Sequence, residues 1–141
     1  MTGKVMLTVT GEQFDLGEDA KTELVTTADY YFRNGKHFIL YDVPATVDSD
    51  KSSSTYKITD KAIEVTRKGD GALHMVFEEN KQNLSSMTTV AGEMLVDIFT
   101  EKISVKLSDD SLRVEVRYSM SINGVFVSKC KVKILAVSMG G

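Results

Sequence analysis

The chain holds one cysteine, one proline, two histidines and no tryptophan. A lone thiol, Cys130, closes no internal disulfide, which excludes the disulfide-stapled secreted folds and points to a reducing compartment. His37 and His74 stand apart, with no His-x-His, Cys-x-x-Cys or His-Glu-x-x-His spacing, so neither a zinc centre nor another metal site is expected. Asp48-Ser49-Asp50 opens like a calcium loop, but Ser53 and Thr59 stand where the loop needs Gly and Glu. Long apolar runs are missing too. Phe38-Ile39-Leu40-Tyr41 is typical of the longest, far short of a membrane span, and the first residues lack an apolar signal core. The cytoplasm is the expected address.

Nor is there an excess of charge. Lys plus Arg number 17 and Asp plus Glu 20, a net charge of −3. That mild acidity predicts no nucleic-acid or membrane partner. Lys129, Lys131 and Lys133, with Arg113 and Arg117, would form a basic stripe if their strands adjoin, but Glu115 among them favours a salt-bridged outer face. No aromatic ladder accompanies them in the sequence. No catalytic constellation and no cofactor motif is found, so an enzyme is not expected.

What is present is a period of two. In a chain of 141 residues, 42% hydrophobic, one domain spanning 1–141 is the natural expectation. Leu112, Val114, Val116, Tyr118 and Met120 alternate with Arg113, Glu115, Arg117 and Ser119. The same alternation runs through Val5–Val9, Leu73–Phe77, Ile103–Leu107 and Cys130–Ile134. Strands with one dry and one wet face belong to antiparallel sheets. Asn34-Gly35 and Asn123-Gly124 each predict a two-residue hairpin turn. No stretch offers a capped helix; Thr88 to Phe99 reads as a strand because of its β-branched residues and Gly92. Nine or ten consecutive strands joined by tight turns predict an all-β domain, a single antiparallel up-and-down barrel, since closure removes the exposed edges. The polar stretch 45–54 reads as a mobile loop poised as a lid.

Several pieces carry a family resemblance in order and spacing. They are Asp29-Tyr30-Tyr31 with Phe38-Ile39-Leu40-Tyr41, Thr55-Tyr56-Lys57-Ile58, Val65-Thr66-Arg67-Lys68-Gly69, Thr89 to Gly92, and Tyr118-Ser119-Met120. From about Val5 to Ile134 the chain resembles the YwiB-like bacterial proteins, a domain of unknown function. The resemblance implies a calycin-like, lipocalin-like β-barrel and brings no established activity.

Two readings of function follow from a barrel. One is a module that binds a small hydrophobic molecule inside the strands; the other is a structural or interaction module filled by its own side chains, with no ligand. Arg67 is the pointed residue. It shares parity with Ile63 and Val65, so an inward apolar face carries a guanidinium into the barrel or its rim. There it needs a carboxylate, carbonyls or a ligand anion. Asp42, in parity with Phe38 and Leu40, and the Tyr118 hydroxyl are the expected partners. Cys130, in parity with Val132 and Ile134, is expected as a small core residue.

Overall fold

The computed structural model describes residues 2–13, 20–43, 47, 51–69, 72–89 and 92–140. Ten strands follow one another: β1 (Gly3–Gln13), β2 (Ala20–Arg33), β3 (Lys36–Val43), β4 (Ser52–Ile58), β5 (Ala62–Gly69), β6 (Leu73–Glu78), β7 (Gln82–Thr89), β8 (Gly92–Leu107), β9 (Ser111–Ile122) and β10 (Val125–Ser138). Each pairs antiparallel with its neighbours in sequence, and β1 pairs with β10 to close the barrel. This is the up-and-down meander predicted from the alternation. No helix among the described residues is long and apolar enough to cross a membrane.

The turns obey their chemistry. Asn34 (φ 52°) with Gly35 (φ 76°), and Asn123 (φ 53°) with Gly124 (φ 79°), put two successive residues at positive φ, as a type I′ hairpin requires. The segment Thr88 to Phe99 is a correction. It belongs to two strands, because β7 ends at Thr89 and β8 begins at Gly92, whose φ of 110° suits glycine. Of the stretch 45–54, Ser52–Ser54 lie in β4, with Ser52 and Ser54 buried, while residues 45, 46 and 48–50 fall outside the described residues.

Two bulges adjust which side chains face inward. In β8 the register shifts between Thr100 and Lys102, so Ile98 and Thr100 before it and Ile103 after it all point into the barrel despite the change of parity. The Glu79 carboxylate accepts the Ile103 N–H beside this bulge over 3.0 Å. In β10 the shift between Phe126 and Ser128 turns Phe126 outward while Ser128 is buried.

The core is graded along the barrel axis. At the end bearing the β2–β3, β4–β5, β6–β7 and β8–β9 turns, Val5, Leu7, Ile39, Ile58, Ile63, Leu112 and Val114 are at most 1% exposed. Toward the opposite end the inward side chains Val9, Leu24, Val65, Met75, Met94, Met120 and Val132 are only half-buried against that core. One end is packed shut, and at the other several of the apolar lining side chains stay partly exposed.

Candidate functional site

Arg67 is partly buried, toward the less buried end of the barrel. β5 buries Ile63 and half-buries Val65 on one face, and the alternation carries Arg67 onto that face near the end of the strand. Its direct partner across β4 is Ser54, 2% exposed, and the Arg67 Nε donates to the Ser54 hydroxyl over 3.3 Å. No carboxylate pairs with Arg67 among the described residues.

Deeper on the same wall, the hydroxyls of Tyr41 and Tyr56 lie 2.8 Å apart, their rings edge-on at 5.6 Å. Burial, then the neighbouring Tyr41, pushes the Tyr56 phenol well above its ordinary range, with Arg67 pulling the other way.

Asp42 is not the partner expected for Arg67. β3 sends His37, Ile39 and Tyr41 inward, so Asp42 is exposed on the outer face with Phe38 and Leu40. Period alone does not choose between two apolar faces. The outward Phe38 is accounted for by stacking on Tyr31, centroids 4.8 Å apart. Tyr118 does face inward, but it packs edge-on against Phe77 at 4.9 Å and stands directly across from Cys130 on β10. Burial, then Cys130, pushes its pKa up. Cys130 is buried as expected, and Ser128 Oγ lies 3.2 Å from its sulfur. The three candidates therefore separate: Arg67 goes with Ser54, Tyr118 with Cys130, and Asp42 with the surface.

Two features were missed by sequence reasoning. β2 and β3 pair only from Asp29–Leu40 to Arg33–Lys36, then part. Where they part, a cleft of about 580 Å³ opens, rimmed by Thr27, Asp29, Asp42 and Ser53 and reaching Tyr41 and Ser54. The second feature is a polar patch on the inner wall of β7 and β8, where Asn83 Nδ2, Ser85 Oγ and Thr100 Oγ1 are buried without a hydrogen-bond partner among the described residues. A Ser or Thr in an alternating strand carries no signal of which face it takes, so only the register reveals it. No group of three or more His, Cys, Asp or Glu among the described residues is placed to hold a metal ion.

Closure of ten antiparallel strands around a core packed at one end defines a β-barrel domain. Residues 7–134 match the family described as a domain of unknown function (DUF1934), and the chain belongs to that family. It is also similar to the ywiB protein from Bacillus subtilis, with a TM-score of 0.84 at 20% identity over 98% of this chain and 93% of that one. The resemblance read from the sequence is thus borne out, and at that identity what the two share is the fold. No curated protein matches the chain.

Proposed function

We propose that the barrel, of the calycin-like kind, binds a small and largely apolar molecule in its less buried end, and that this molecule carries an acidic group held by Arg67. The observation behind this reading is the placement of Arg67 on the inner face, with Ser54 as its one hydrogen-bond partner among the described residues and no carboxylate beside it. A guanidinium offers five donors and keeps its charge, so a carboxylate, sulfonate or phosphate is the group that satisfies it. Val65, Met75, Met94, Tyr118 and Val132 supply apolar wall for the remainder of the ligand. Asp42, on the outer rim of the cleft, acts at the entrance rather than on the guanidinium. The proposed setting is the bacterial cytoplasm, consistent with a single buried thiol.

The test has two parts. Native mass spectrometry of protein purified from its own host should show a co-purifying mass that Arg67→Gln loses. Titration with 1-anilinonaphthalene-8-sulfonate, an apolar anion, should saturate at one site and weaken at least about ten-fold in Arg67→Gln, the loss of one charge-assisted hydrogen bond. Circular dichroism confirms that the variant is folded. No adduct, with equal dye binding by both proteins, would sink the proposal and leave a barrel filled by its own side chains.

A further inference from the structure

The register brings together, on the outer face of β8, β9 and β10, the basic stripe that the sequence offered only on condition that its strands adjoin, and adds Lys102 and Lys106 from β8 to it. Lys102, Arg117 and Lys131 stand directly opposite one another across the three strands. The next outward row is Ser104, Glu115 and Lys133, and the one after it Lys106, Arg113 and Leu135. In the other direction comes Phe99, Ser119 and Lys129. Seven of the eight cations in residues 71–141 thus share one face. Against them stand Glu101, Glu115 and, across the β1 border from Lys131, Glu12. Glu115 is already shared, 3.5 Å from Arg117 and 3.4 Å from Lys131. Its carboxyl is held below the ordinary range because the attraction of Lys131, Lys133 and Arg117 outweighs the opposing cost of burial.

Like charges directly opposite across strands destabilise a sheet. In a chain with more carboxylates than cations, solubility alone does not call for such a concentration. Two aromatic rings complete the surface. Phe99 is 41% exposed beside Ser119, and the β10 bulge turns Phe126, 54% exposed, outward opposite Ser121, diagonally across β9 from Phe99. Same-face residues along β10 recur every ~6.8 Å, so Lys129, Lys131 and Lys133 form a row with a pitch close to that of phosphates along an extended single strand. Rings at one end of a row of cations are the two parts that single-strand recognition uses: charge tracks the backbone while bases stack.

We propose that this outer face binds single-stranded nucleic acid, independently of any ligand inside the barrel. The backbone follows the exposed Lys129, Lys133 and Arg117, with Lys131, its side chain 17% exposed and held by Glu115, behind them, and bases stack on Phe99 and Phe126. Asp97, beside Ser121, sets a boundary where phosphates are repelled.

Fluorescence anisotropy of the full chain with labelled oligo-dT and oligo-U of about 15 nucleotides tests this. Binding should weaken about ten-fold or more between roughly 50 and 200 mM salt, and the ratio of dT to U affinities tells DNA from RNA. Arg117→Glu with Lys129→Glu should abolish it, and Phe99→Ala should weaken it at least about five-fold. These positions are exposed, so the variants should keep the wild-type melting curve. Duplex and heparin bound as tightly as single strands, with Phe99→Ala unchanged, would overturn the assignment in favour of unspecific polyanion attraction. No binding at low salt would overturn it outright.

Discussion

Arg67 and Ser54 face each other directly across β5 and β4, joined by a hydrogen bond of 3.3 Å that takes one donor of the guanidinium. Arg67→Ala leaves the Ser54 hydroxyl buried with no donor and should cost about 1–3 kcal/mol, read as a lower urea midpoint. A change within about 0.5 kcal/mol would show that the pair contributes nothing to folding.

Tyr41 and Tyr56 offer a sharper test of coupling. With their hydroxyls 2.8 Å apart and both rings buried, Tyr56→Phe strands the Tyr41 hydroxyl and should cost about 1–3 kcal/mol. The double variant Tyr41→Phe/Tyr56→Phe should lose clearly less than the sum of the two singles. Strict additivity in urea melts would contradict the hydrogen bond.

Alkaline pH should unfold the protein through its buried phenols. Burial raises Tyr30, Tyr56 and Tyr118, so the unfolded chain ionises first. Their contribution is therefore whole below about pH 10 and is lost as the pH climbs above it, at about 1.4 kcal/mol per unit for each such tyrosine. Tyr118→Phe should flatten that fall in a pH series of urea melts; an unchanged slope would refute it.

His37 works at the other end of the scale. Burial lowers its pKa, with Asp60 opposing, and the Tyr30 hydroxyl and the His37 Nδ1 are hydrogen-bonded over 2.7 Å. A depressed pKa means that the unfolded chain takes up the proton first. This contribution is whole above about pH 6.5 and is lost as the pH falls below it. His37→Gln should remove that part of the acid sensitivity, measured as the difference in urea midpoint between neutral and mildly acidic buffer.

Gly69 pairs with Ser52 at a φ of 96°, and a Cβ there would run into the Lys51 carbonyl. Gly69→Ala should destabilise by about 1–3 kcal/mol from backbone strain alone, seen in thermal or urea melts. A neutral result would mean that β4 and β5 separate freely at that end.

The strands, their antiparallel pairing and both Asn-Gly hairpins were legible in the sequence, because a period of two and a positive-φ turn are local properties of the chain. Arg67 was legible for the same reason, through its parity with Ile63 and Val65. Asp42 was misplaced because β3 is apolar on both faces, and only its packing against β2 and β4 selects His37, Ile39 and Tyr41 for the interior.

Tertiary structure alone decided which distant residues meet. Ser54 comes beneath Arg67 through strand register. Phe126 faces outward beside the basic rows because a bulge shifts β10 by one residue, and a one-residue shift exchanges the faces of a strand. Alternation tells a side chain that it has two faces to choose from; the closing of the barrel, which must bury one continuous apolar lining, makes the choice.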